Sequence, residues 1–145
     1  MKISNLLFGS SIVFYVLYDI ISTIAAFNYL GTFQYEKSFL LKASFDAAGV
    51  WGFILIKVVF SVLALYLAYL LIEHFKKFRG VGLGILAGAS AAGLFVGTSN
   101  FNIVLNGSSI WIMGLDSGTI SALLILGCAV GGFLLMPSEK PVPSL

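Results

Sequence analysis

The chain has 145 residues, of which 59% are hydrophobic and only 10% are charged, and its formal net charge is +2. Soluble domains carry about 25% charged residues, so this composition excludes an ordinary soluble protein and predicts an integral membrane protein. A single histidine and a single cysteine exclude an internal disulfide and a histidine metal cluster in one chain, and no basic stripe indicates nucleic-acid binding.

Four apolar runs follow one another along the chain, at about 5–28, 50–74, 81–105 and 118–136. Each provides the roughly 20 residues that a helix needs to cross a bilayer. We therefore predict an all-α membrane protein, a bundle of four transmembrane helices that forms a single domain over residues 1–136. The first run is too long for a signal peptide, so we expect it to be retained. The tail 137–145 contains three prolines and is predicted to be a disordered cytoplasmic segment.

Two charged residues lie inside the first two runs, Asp19 in the first and Lys57 in the second. At 1.5 Å per residue, Asp19 lies roughly 13 Å and Lys57 roughly 10 Å from the same end of an antiparallel helix pair. An unpaired charge at this depth is costly, so we predict that the two side chains pair, with Ser22 and Thr23 on the face of Asp19. The pair could serve only to lock two helices together, or it could belong to a binding or relay site.

The connections between the runs differ in character. Segment 29–49 mixes aromatic and charged residues, and we expect it to lie along the outer membrane surface with some helical structure. Segment 74–80 is short and basic, which predicts an antiparallel hairpin of the second and third helices. Asn100, near the end of the third run, could cap that helix or could join Asp19, Lys57 and Glu36 in an outward-opening polar pocket.

Glycines recur at four- and five-residue intervals in the third run, and Gly127 and Gly131 lie four apart in the fourth. Such small residues let helices approach closely within lipid. The glycines of the third run are Gly84, Gly88, Gly93 and Gly97. We predict that both helices use these positions for tight packing.

The first half of the chain resembles a prokaryotic family of small membrane proteins that is known as a domain of unknown function. Members carry D-x-x-S/T-T in the first helix, then a glycine and E-x-N-P, then a lysine in the next helix. Here Asp19 to Thr23, Gly31, Glu36 and Lys57 match in order, whereas Ser38 and Phe39 replace the asparagine and proline. The resemblance implies that Asp19, Glu36 and Lys57 belong to one constellation, and it implies no activity.

The functional prediction follows from these polar groups. We expect a multi-pass protein of the cell membrane that binds or moves an ion or small solute through a site made of Asp19, Ser22, Thr23, Glu36, Lys57 and Asn100. The alternative is a non-catalytic accessory or structural subunit of a larger membrane complex. Transport through four helices would require a homo-oligomer, whereas the accessory role requires a membrane partner. No catalytic motif is present, so we predict no enzyme activity, no metal and no cofactor.

Basic residues predict the orientation of the chain in the membrane. Lys2, Lys76, Lys77, Arg79 and Lys140 all lie on the side of the termini, which the positive-inside rule assigns to the cytoplasm. Trp51 and Trp111 then lie near the outer interface, where tryptophans are enriched.

The orientation can be tested by cysteine labelling in a Cys128→Ser background. Lys77→Cys should be protected from an impermeant thiol reagent in intact cells, and Lys37→Cys should react, because the two positions are predicted on opposite sides of the membrane. Labelling of Lys77→Cys from outside would contradict the cytoplasmic assignment.

Overall fold

Four long helices make up the fold of the computed structural model, which describes residues 2–32 and 38–135. They are long and apolar enough to cross a membrane, and we name them span 1 (Ile3–Leu30), span 2 (Phe39–His74), span 3 (Lys76–Asn106) and span 4 (Ser117–Leu135). The predicted all-α architecture with four helices of membrane-spanning length and composition is thus confirmed. Glu36 and the tail 137–145 lie outside the described residues, and the expectations for them stay predictions.

Consecutive spans run antiparallel, which gives the bundle two distinct ends. At the basic end, where spans 2 and 4 finish, Lys2 Nζ lies 3.1 Å from Glu73 Oε2, and Ser4 Oγ donates to Glu73 Oε1 at 3.0 Å. At the far end, span 1 ends at Leu30 and span 3 at Asn106, while span 4 begins at Ser117. The side chains of Asp19 and Lys57 lie in the half of the bundle that is nearer the far end.

Span 1 is not a uniform α-helix. Its first part is α-helical over Ile3–Ser11, a π-helix follows over Ile12–Tyr18, and the α-helix resumes over Asp19–Leu30. In a π-helix each N–H bonds to the carbonyl five residues earlier, so the residues after it are rotated relative to a continuous α-helix. The direction in which Asp19 faces therefore depends on this wider turn.

Span 2 contains a sharp break at Ala48 and Gly49 that divides it into a short first part and a longer, more apolar second part. The backbone leaves the helical region at Ala48 (φ −141°) and Gly49 (φ 61°, ψ −152°), a conformation that glycine adopts most easily. Ser38 Oγ accepts from Leu41 N at 3.4 Å at the start of the helix, and the rings of Phe27 and Phe45 pack 5.0 Å apart. The helical structure predicted within segment 29–49 is thus present from Phe39 onward.

Span 3 is the centre of the bundle and packs against all three other spans. A Cβ atom on Gly84 would overlap the Cys128 carbonyl oxygen, and one on Gly88 would lie 2.8 Å from the Cα of Ile125 in span 4. On the opposite side, Gly93 contacts the backbone of Phe14. The predicted tight packing through the glycines of span 3 is confirmed.

The corresponding prediction for span 4 is wrong. A Cβ atom on Gly127 or on Gly131 would meet nothing within 4 Å, whereas Gly132 lies directly against the Gly80 carbonyl. The row that faces span 3 contains Cys128 and Gly132, and the next helical position is turned away by about 100°. The four-residue glycine spacing therefore lies on the outer surface of span 4.

The two glycine environments provide a matched pair of substitutions. Gly84→Ala should lower the free energy of unfolding in detergent by about 1–3 kcal/mol, because the added methyl group forces spans 3 and 4 apart. Gly127→Ala makes the same chemical change in open space and should not destabilise the protein. Thermal unfolding followed by circular dichroism measures both, and equal effects would contradict the packing described here.

Candidate functional site

Asp19 and Lys57 form a buried ion pair. The distance from Lys57 Nζ to Asp19 Oδ2 is 2.9 Å, and the two side chains are only 11% and 10% exposed. The ammonium group also lies 5.2 Å from the centre of the Phe53 ring, within the range of a cation–π interaction. The pairing predicted from depth is confirmed.

A chain of hydrogen bonds extends this pair into span 3. Asn100 Nδ2 donates to Ser22 Oγ at 3.2 Å and to Thr23 Oγ1 at 3.1 Å. Thr23 Oγ1 lies 2.7 Å from the backbone oxygen and 3.3 Å from Oδ1 of Asp19, and Ser22 Oγ also donates to that backbone oxygen, at 2.9 Å. Polar groups of three spans are thereby joined in one network that runs from Asn100 to Lys57.

The network forms part of the wall of a cavity of about 720 Å³ in the half of the bundle nearer the far end. All four spans contribute to its lining. Its polar groups include Asp19, Thr23, Lys57 and Asn100, which the sequence predicted, together with Tyr15 and Ser61. Pockets that bind small molecules have volumes of about 300–1,000 Å³ and a few convergent polar groups, and this cavity has both properties.

The loop between spans 3 and 4 completes the cavity, and sequence reasoning missed its contribution. Asp116 and Ser121 both line the cavity. Asp116 caps span 4, since its Oδ1 accepts from Thr119 N at 3.0 Å. An aspartate three residues before a threonine, at the start of an apolar run, is a recognisable helix-start signal. It indicates a cap, but nothing in it indicates that the cap faces a cavity.

The polar residues at the end of span 3 divide into two groups. Ser99 Oγ accepts from Ile110 N at 3.0 Å, and Asn102 Nδ2 donates to the Ser108 carbonyl at 2.6 Å, so these side chains hold the following loop. Asn100 instead faces inward and is 8% exposed. The two roles considered for Asn100 are therefore taken by different residues of the same segment.

The structure brings together five of the six predicted site residues, and the sixth, Glu36, lies outside the described ranges. Ser22 contributes to the hydrogen-bond network, although it is not among the residues that line the cavity. Within residues 2–32 and 38–135, no three His, Cys, Asp or Glu side chains lie close enough to hold a metal ion. A binding role for these residues stays a prediction.

No protein-family model, curated protein or solved structure matches this chain. The resemblance to the prokaryotic family of small membrane proteins therefore stays a prediction based on its short motifs.

A double-mutant cycle measures the strength of the buried pair. Lys57→Met alone should lower the free energy of unfolding by about 3–5 kcal/mol, because it leaves the Asp19 carboxylate buried without its counter-ion. Combining it with Asp19→Asn should cost less than the sum of the single changes, with a coupling free energy of about 1–3 kcal/mol.

The exposed pair of Lys2 and Glu73 provides the control for this cycle. Its atoms lie 3.1 Å apart, but the Lys2 side chain is 72% exposed. Lys2→Met and Glu73→Gln should show a much smaller coupling than the buried pair, because water screens exposed charges. Additive losses at Asp19 and Lys57 in the same detergent would show that the buried pair is not a mutual stabilising interaction.

Proposed function

We propose that this protein is a multi-pass membrane protein that binds an ion or small solute in the cavity between its four spans. The observation that carries the proposal is the convergence of Asp19, Thr23, Lys57 and Asn100 on one cavity of about 720 Å³. A pair that served only to join spans 1 and 2 would need neither the amide from span 3 nor the space beside it. Binding at membrane depth is also the first step of transport, which self-association would complete.

The orientation belongs to the same proposal. The basic residues of the basic end are assigned to the cytoplasm, together with both termini, by the positive-inside rule. The far end then faces outward, so that the ligand reaches the cavity from the outer side. Trp51 and Trp111, which are 80% and 61% exposed, lie at the far end and are suited to the outer membrane interface.

The second candidate function, an accessory subunit, is favoured by the outer surface of span 4. None of the residues of span 4 is buried, and Gly127 and Gly131 have open space around them. A helix of a partner protein or of a second copy could pack closely there. The size of the purified protein in detergent distinguishes a homo-oligomer from a monomer that needs another protein as its partner. Gly127→Leu places a large side chain on the outer surface of span 4 and serves as the interface variant in this measurement.

Chemical labelling within the cavity tests the first proposal. In a Cys128→Ser background, Ser61→Cys should react with an impermeant thiol reagent applied at the far end, because Ser61 lines the cavity. Val59→Cys, whose position is half-exposed on the outside of span 2, should not react because lipid covers it. A ligand should slow the reaction of Ser61→Cys, and inorganic ions, amino acids and anionic phospholipids form the panel to be tried.

Two double variants test whether the protection of Ser61→Cys by a ligand depends on the buried pair of Asp19 and Lys57. Asp19→Asn with Lys57→Met should abolish the protection, whereas Lys2→Met with Glu73→Gln removes an exposed ion pair away from the cavity and should preserve it. Failure of every compound to slow labelling would contradict the proposed binding function.

A further inference from the structure

Two separate pieces of the chain bound the cavity at the far end of the bundle. One is segment 38–48, the first part of span 2, whose residues Ser38, Leu40 and Leu41 line the cavity. The other is loop 107–116 between spans 3 and 4, which also contributes to the lining. A ligand that arrives from the far end therefore meets these two pieces before it reaches the buried ion pair.

The loop is fixed to its neighbours by hydrogen bonds. Ile110 N donates to Ser99 Oγ at 3.0 Å, and Asn102 Nδ2 donates to the Ser108 carbonyl at 2.6 Å, so span 3 holds the loop at two points. The last residue of the loop, Asp116, caps span 4. Movement of the loop would break hydrogen bonds to two spans, so we expect the loop to stay in place.

Segment 38–48 is attached much more loosely than the loop. None of the residues 38–48 is buried, whereas the buried side chains of span 2 all lie after its break, from Phe53 onward. The segment contacts span 1 through the rings of Phe27 and Phe45, whose centroids lie 5.0 Å apart. Parts of a protein with few buried apolar contacts open at the lowest free-energy cost. Of the two pieces, segment 38–48 is therefore the one that can move away from the cavity.

The backbone at the end of this segment has the geometry of a hinge. Gly49 has φ 61° and ψ −152°, a region that is essentially restricted to glycine. A Cβ atom on Gly49 would meet nothing within 4 Å, so no packed neighbour fixes the position. Hinges consist of a few such residues that absorb a change of backbone dihedral angles. Segment 38–48 can thus turn about Ala48 and Gly49 while the second part of span 2, which carries Lys57, stays packed.

We propose that segment 38–48 is a hinged lid that controls access of the ligand to the cavity. The structure shows the closed position, in which the ring of Phe45 packs on Phe27 and both Leu40 and Leu41 line the cavity. Closure also keeps water away from the ion pair, which strengthens electrostatic interactions within the cavity. This inference rests on the proposed binding function and adds the way in which that site is opened.

Loosening the ring contact tests the lid on the full-length protein in phosphatidylcholine nanodiscs, where both membrane surfaces are accessible. Ser61→Cys in the Cys128→Ser background again reports access to the cavity. Phe45→Ala should raise its labelling rate about two- to tenfold, because the loss of one aromatic pair increases the open population by that factor. Phe39→Ala makes the same chemical change at an 85% exposed position of the same segment and should leave the rate unchanged.

A second pair of substitutions tests the hinge. Alanine does not fit the backbone conformation of Gly49, so Gly49→Ala should displace the closed lid and raise the labelling rate about fivefold or more. Gly114→Ala adds the same methyl group at another glycine of positive φ (77°) with open space around it, within loop 107–116. It should leave the rate unchanged, because hydrogen bonds to spans 3 and 4 hold the loop.

A reversible lock tests whether the lid has to move for access. Phe27→His with Phe45→His places two imidazoles where the rings now face each other, close enough for Ni²⁺ to bridge them. At ten times its Kd for this site, Ni²⁺ should slow the labelling of Ser61→Cys about tenfold relative to the Ni²⁺-free rate, and EDTA should restore it. Each single histidine variant should show no response, which also controls for His74 and for the introduced thiol.

The outcomes distinguish the lid from the proposed function. Circular dichroism and elution volume confirm that each variant is folded before rates are compared. Equal rates in Phe45→Ala and Phe39→Ala, or no effect of Ni²⁺ on the double histidine variant, would overturn the lid and leave the binding function intact. If Ser61→Cys reacts in none of the variants, the cavity is closed to the far end and both proposals fail.

Discussion

The fold depends on the satisfaction of two charges inside a membrane, those of Asp19 and Lys57. A charge near the centre of a bilayer costs about 2.5–3.5 kcal/mol on insertion scales, so neither residue would be stable there alone. Lys57 Nζ lies 2.9 Å from Asp19 Oδ2, so both charges can be buried only where spans 1 and 2 lie side by side. The interaction therefore determines which faces of these helices meet, and it places an ionic group beside the cavity.

Span 3 makes that approach possible because its small residues leave room for the other helices. Its glycines touch the backbone of span 1 on one side and that of span 4 on the other. Lipid tails are as apolar as leucine side chains, so helices in a membrane associate through close packing and interhelical hydrogen bonds rather than through the hydrophobic effect. Asn100 adds such hydrogen bonds to Ser22 and Thr23 where span 3 passes the ion pair.

The cavity follows from an uneven distribution of these contacts. Span 4 packs on span 3 and leaves a cleft between itself and span 2, into which the donors of Lys57, Ser61 and Ser121 face. The asymmetry leaves a cavity whose lining combines the charged groups of Asp19, Lys57 and Asp116 with apolar side chains such as Phe60.

The sequence alone determined the number of spans, their approximate limits and the pairing of Asp19 with Lys57, because apolar length and the cost of a buried charge are local properties. It also identified Ser22 and Thr23 as candidates from their positions on the helix face of Asp19, and Asn100 from its position near the end of the third apolar run. Only the tertiary structure decided that Gly132 rather than Gly127 meets span 3, and that Tyr15 and Asp116 line the cavity. Tyr15 lies within the π-helix at Ile12–Tyr18, and all of these features depend on the rotation of each helix about its axis. Helix rotation is set by contacts between residues far apart in the chain, and no single run of sequence contains that information.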